Sequence, residues 1–78
     1  MKTIISDRIS IDAGVCHGKP VVTGTRVLVA NVVGALAAGQ TIASVLEDYP
    51  SLQEEDIRAC LQYAAAQAGN SVVRLQPA

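Results

Sequence analysis

The spacing of apolar residues changes at Val29, and the change divides the chain into a β-type part and a helical part. Upstream, R-I-S-I-D over Arg8–Asp12 alternates, which places Ile9 and Ile11 on one face of a short strand. Pro20-Val21-Val22 and Arg26-Val27-Leu28 are two more β-type runs, and they flank Thr23-Gly24-Thr25. Gly24 can adopt the positive φ of a tight turn, so the two runs predict a small hairpin. From Val29 on, Val29, Val32, Val33, Leu36 and Ala37 follow the i, i+3, i+4, i+7, i+8 spacing of a helix that Gly39 ends. Gly34, Ala35 and Ala38 keep its other side small, so a neighbour can pack closely there.

Two shorter helical segments follow. Thr41 is suited to cap a helix whose apolar face is Ile42, Val45 and Leu46, and Asp48-Tyr49-Pro50 ends it because the residue before a proline is pushed out of the α region. The acidic run Q-E-E-D begins a third helix, its carboxylates favoured by the helix macrodipole. A capping box from Ser51 to Glu54 is an alternative start. Ile57, Cys60, Leu61 and Ala64 form its expected buried stripe, and Gly69 its expected cap. The predicted fold class is α+β: a short N-terminal β-strand and β-hairpin, then a three-helix, helix-turn-helix-like unit. The 78 residues make a single domain spanning 1–78, with an extended C-terminal tail at 70–78.

A domain of this length buries only about 60% of the surface its unfolded chain exposes, and small domains commonly need a disulfide, a metal or a partner. Only Tyr49 and Tyr63 are aromatic, so the core must be aliphatic. No apolar run reaches the ~18–20 residues of a membrane span, and the start MKTIISDRIS lacks a signal-peptide layout, so the expected location is cytoplasmic, with Cys16 and Cys60 reduced. Charge is uneven. Residues 1–28 carry four cations against two carboxylates, whereas residues 29–58 carry five carboxylates against Arg58 alone. A protein held to nucleic acid through phosphates should present a basic face, and here only a small N-terminal patch does.

The segment GVCHGKPVVTGTRV, residues 14–27, holds the candidate chemistry. Cys16 beside the single His17 resembles a nucleophile and its base, but neighbours in an extended segment point to opposite faces. Cys16, His17 and Cys60 are too few and too irregularly spaced for zinc. The Gly-Lys pair fails as a phosphate loop, because three residues rather than four separate Gly14 from Gly18, and Pro20 follows Lys19. No catalytic residue, metal or cofactor is therefore expected. Gly18, Pro20, Gly24, Thr25 and Arg26 define the hairpin, with Arg26 expected to tie it to an acid such as Asp48. Lys19, Arg26 and Arg58 are the residues for an alternative, nucleic-acid-binding role. The second and third helices have a helix-turn-helix layout, yet Glu54, Glu55 and Asp56 stand where a recognition helix would meet phosphates, so only weak DNA binding is expected.

The run I-S-I-D-A-G-V-C-H-G-K-P-V-V-T-G-T-R-V, a helix ending A-A-G, and E-D-Y-P-S-L-Q-E-E-D-I-R-A-C-L-Q-Y-A together resemble domain of unknown function family 433, over residues 8–66. Gly18, Pro20, Gly24, Thr25, Arg26, Tyr49, Pro50, Leu52 and Ile57 carry the resemblance. Ala13 and Leu28 stand where the family often has Pro, and Gln53 where it often has a Ser or Thr cap. The resemblance implies a helix-turn-helix superfamily unit, often encoded beside a PIN-like ribonuclease, with no established enzymatic activity and similarity to antitoxins of type II toxin–antitoxin pairs. The expected partners are a second copy, in a homodimer, and a PIN-like toxin. In the tail, Val72, Val73 and Leu75 are expected to dock on the toxin, with Arg74 approaching its acidic centre.

Overall fold

A computed structural model of the chain describes residues 2–69. Three antiparallel strands, β1 (Lys2–Ile4), β2 (Ile9–Asp12) and β3 (Val21–Val22), form a sheet in the order β1-β2-β3. Three helices follow, α1 (Val29–Ala37), α2 (Ile42–Asp48) and α3 (Glu54–Gly69). The fold is α+β with the two classes segregated along the chain.

β1 is an addition to the expected strand set. Its residues K-T-I are exposed throughout and show no alternation, so only pairing reveals it: Lys2 lies opposite Asp12, Thr3 opposite Ile11 and Ile4 opposite Ser10. It makes β2 the central strand. Ile9 pairs with Val22 on the face toward the helices, and Ser10 with Val21 on the other. The second face is flanked by a tight turn at Cys16–Gly18, so Ser10 and Val21 are buried as well as Ile9 and Val22. Ile11, two residues on from Ile9 along β2, is only half-buried.

The hairpin forms as predicted, with a reduced second arm. Gly24 has φ +82°, the amide of Val22 donates to the Val27 carbonyl (3.0 Å), and Val21 and Leu28 make a single bridge. The Thr25 hydroxyl fastens the turn, donating to the Val22 carbonyl (2.7 Å) and accepting from the Val27 amide (3.0 Å). Leu28 cannot extend the arm, because it is already the residue that starts α1.

α1 ends in a Schellman motif. Gly39 adopts φ +104°, its amide donates to the Leu36 carbonyl, and the amide of Gln40 donates to the Ala35 carbonyl (both 3.0 Å). Thr41 caps α2, its hydroxyl accepting from the Ser44 amide at 3.0 Å. The cap of α3 is not the Ser51–Glu54 box. Asp56, in the first turn, reaches back with Oδ2 to the amide of Gln53 (2.8 Å), while its Oδ1 accepts from Nη1 of Arg8 at 2.8 Å. One buried carboxylate thus caps the third helix and ties it to the chain entering β2. That hydrogen bond and the Asp56 charge hold the Arg8 guanidinium above its ordinary pKa. Replacing Asp56 by Ala should cost about 1–2 kcal/mol in urea unfolding. A variant lacking both Arg8 and Asp56 should lose less than the two single variants added together.

The core is one cluster built from Ile9, Val22, Val29, Val32, Val45, Leu52, Ile57 and Cys60. On α3 the buried stripe centres on Cys60, and Leu61 is turned about 100° from it. Leu61 is therefore 40% exposed rather than buried, and Tyr63 takes its expected place against the core.

Candidate functional site

The Cys16-His17 pair sits in the tight turn rather than in an extended segment. Cys16 has φ +50° and His17 φ +58°, both left-handed, and Gly18 continues at +79°. The opposed-face argument therefore does not apply. The Cys16 thiol instead donates to the Arg26 carbonyl at 3.4 Å, while His17 is exposed. This contact binds the turn to the hairpin. Among the described residues no three metal-ligating side chains converge, and both cysteines are free thiols.

Cys60 differs from Cys16 in environment. Burial, with the Asp56 charge second, pushes its pKa up to about 11. Because the folded value exceeds the unfolded 9.0, the unfolded state gives up its proton first, and stability falls as pH rises from 9 toward about 11. At pH 8 a thiol reagent should modify Cys16 well before Cys60, and Cys60 should react only at the rate of unfolding, as mass spectrometry of timed samples would show.

The basic residues do not form one face. Lys19, Arg26 and Arg58 each line a different depression of the surface. Arg58 donates from Nη2 to Oε2 of Glu54, four residues earlier, at 2.8 Å. Arg26 makes no tie to Asp48, which instead accepts from the Gln40 side chain at 3.1 Å, while Arg8 and Asp56 form a long-range ion pair among the described residues. At the start of α3, Glu55 is exposed and Glu54 is paired with Arg58, so the helix begins on an acidic surface.

An apolar groove of about 420 Å³ lies between α1, α3 and the base of the hairpin. Pro20, Leu28, Val33, Gly34, Tyr63 and Ala64 line it, and Lys19 contributes its one charge. Gly34 adds no side chain to the groove, and a Cβ there would meet no described residue within 4 Å. Tyr63 also lines an adjacent depression with Ile5, Ala59 and Ala66, so apolar surface continues across α3 to the first turn of the chain. Ile4 (56% exposed) and Ile5 (44%) extend that surface beside β1, the edge strand among the described residues. Sequence reasoning missed Leu28, Val33 and Tyr63 as surface-forming residues. The adjacent pair Val32-Val33 was the available signal, since two neighbouring valines widen the apolar arc of α1 beyond what one core face can cover. Val72, Val73, Arg74 and Leu75, the expected partner-binding residues, lie outside the described residues.

Comparison with known proteins adds relatives of the same kind. The profile of a family described as protein of unknown function, DUF433, matches residues 9–64. The uncharacterized protein y4eO of Sinorhizobium fredii is 49% identical over 49 residues, which are 63% of this chain and 22% of that protein. The crystal structure of a DUF433 member from Anabaena variabilis superimposes with a TM-score of 0.76 at 29% identity, over 83% of this chain and 64% of that one. The structure of Rv2018 from Mycobacterium tuberculosis superimposes with a TM-score of 0.60 at 36% identity, over 68% of this chain and 24% of that one. The chain thus spans less than two thirds of the length of each of these proteins.

Proposed function

The chain belongs to the DUF433 family, and we propose that it is an antitoxin-like binding protein of the cytoplasm, which pairs with a second copy and neutralises a PIN-like ribonuclease. The apolar groove carries this reading. Leu28, Val33 and Tyr63 leave aliphatic and aromatic surface open to solvent in a domain whose core is already small, and such a surface fits a protein partner better than a charged polymer. Lys19 supports a partner that brings a carboxylate to the groove, and a PIN-like nuclease gathers carboxylates around its metal. The second copy would join at β1, an edge strand of the sheet among the described residues, with the exposed Ile4 and Ile5 beside it.

No enzymatic activity belongs to this reading. Co-expression with a PIN-like ribonuclease tests it. A stable complex with suppressed RNA cleavage supports the reading, and a nuclease that neither co-purifies nor loses activity overturns it.

The joined helices α2 and α3 favour a second reading, a DNA-binding regulator acting on its own operon. The exposed acidic start of α3 and the scattering of Lys19, Arg26 and Arg58 weigh against it. Binding of the isolated chain to a defined operator more tightly than roughly 10⁻⁷ M at physiological salt would favour this second reading.

A further inference from the structure

We propose that β1 pairs antiparallel with β1 of a second copy, about a two-fold axis at Thr3, so that the three-stranded sheets of two chains join into one. The proposal rests on the dimer of the reading above, to which it adds the register, and it makes no use of the apolar groove.

Hydrogen bonding within the sheet decides which backbone groups face outward. The Ile5 amide donates to the Ile9 carbonyl at 2.9 Å, and along an antiparallel strand successive residues turn their backbone groups alternately to either side. Thr3 therefore points to β2, whereas Lys2 and Ile4 turn their amides and carbonyls away from it. The far side of β2 agrees. There the Thr23 amide donates to the Arg8 carbonyl at 2.8 Å, so Ser10, which lies opposite Ile4, turns its own backbone toward β3. β1 is the edge strand among the described residues, and all its side chains are exposed.

This edge matches itself in one register. With Thr3 opposite Thr3, Lys2 of one copy meets Ile4 of the other, and the outward amide and carbonyl of each can pair with those of its opposite. The aliphatic stem of Lys2 then covers the exposed Ile4, and Asp12, opposite Lys2 on β2, sets a carboxylate at the end of the same row. Neighbouring registers fail. Moving the axis to Lys2 places two ammonium groups opposite each other. Moving it to Ile4 requires Ile5 and Ser6 to prolong the strand, and the chain bends over residues 5–8 on its way into β2. A second copy thus pairs the outward groups and covers Ile4 without opposing like charges. Such short strands bury little area, so the dimer dissociates on the order of micromolar concentration or above.

Disulfide trapping tests the register. Opposed residues that do not exchange hydrogen bonds have Cα atoms about 4.5 Å apart, within the span of a disulfide. Thr3→Cys, combined with Cys16→Ser to remove the half-buried thiol, should therefore oxidise to a covalent dimer whose peptide map joins position 3 to position 3. Lys2→Cys in the same background should link to itself far more slowly. Sedimentation of the native chain from ~1 μM to ~1 mM should show a reversible monomer–dimer equilibrium. Lys2→Pro removes an outward amide at the first residue of the strand, where proline is tolerated, and should weaken the dimer about tenfold or more while leaving the unfolding midpoint in place. A dimer that does not trap through position 3, or that Lys2→Pro leaves unchanged, would overturn this register while the dimer itself stands. A chain that stays monomeric up to ~1 mM would overturn both. Slow hydrogen exchange of the Ile4 amide in that monomer would give the edge to another segment of the same chain.

Discussion

Replacing Ile57 by Ala should leave a large part of the chain unfolded at 25 °C. Ile57 is 0% exposed and stands where α3 meets the sheet and the other helices, in a cluster otherwise made of valines, one leucine, one isoleucine and a cysteine. Truncating a buried isoleucine to alanine costs about 2–5 kcal/mol, the upper part where neighbours cannot collapse into the space. Short β-type side chains fixed by strand pairing and by α1 have little freedom to do so. A domain of this size sits near the lower end of native stability, at about 4 kcal/mol, so the loss is comparable to the whole. Urea unfolding followed by circular dichroism checks this. Ile57→Val should cost only about 1 kcal/mol, and Leu61→Ala still less, because Leu61 faces solvent. A larger loss for Leu61→Ala than for Ile57→Ala would mean that α3 is turned the other way.

The contrast between Ile57 and Leu61 also shows how far the fold could be read from residues. Strong local signals carried through. The helical period from Val29, the Thr41 cap, the stop at Tyr49-Pro50 and the positive φ of Gly24 and Gly39 are short-range effects of backbone sterics, and each appears where its residues place it. Features that depend on distant partners did not. β1 has no pattern of its own and exists through its pairing with β2, and the cap of α3 moved because Asp56 answers both to Gln53 and to Arg8, 48 residues away. The facing of α3 follows from that tie, and Leu61 was misplaced with it. Likewise, the left-handed turn at Cys16 and His17 is unusual for residues with side chains and is held by the contact with Arg26, which spacing alone cannot disclose.

The candidate surfaces were legible to a similar degree. Small residues on α1 were expected to allow close packing by a neighbour, but at Gly34, which lines the groove, no described residue comes within 4 Å of where a Cβ would stand. The groove itself needs Pro20 and Leu28 from the hairpin and Tyr63 from α3, three segments that only the tertiary fold brings together. Lys19, Arg26 and Arg58 met the opposite fate. They were named together for the alternative nucleic-acid-binding role, and the fold separates them into three places.

A single exposed substitution in the groove should abolish partner binding without disturbing the fold. Ala30 is exposed, lines the groove and lies in the first turn of α1, where a carboxylate is favoured by the helix macrodipole. Ala30→Glu should therefore keep the unfolding midpoint of the native chain while placing charge and bulk where apolar contact is required, and an anchor position of this kind is worth about 2 kcal/mol or more, some thirtyfold in affinity. Arg58→Ala, on a different depression, should bind as the native chain does. The direct measurement is calorimetric titration of the native chain, Ala30→Glu and Arg58→Ala into the PIN-like ribonuclease proposed as its partner, with RNA cleavage assayed on the same samples. The account predicts tight binding and silenced cleavage for the native chain and Arg58→Ala, and weak binding with persistent cleavage for Ala30→Glu. Equal binding by all three, or binding by none, would contradict it.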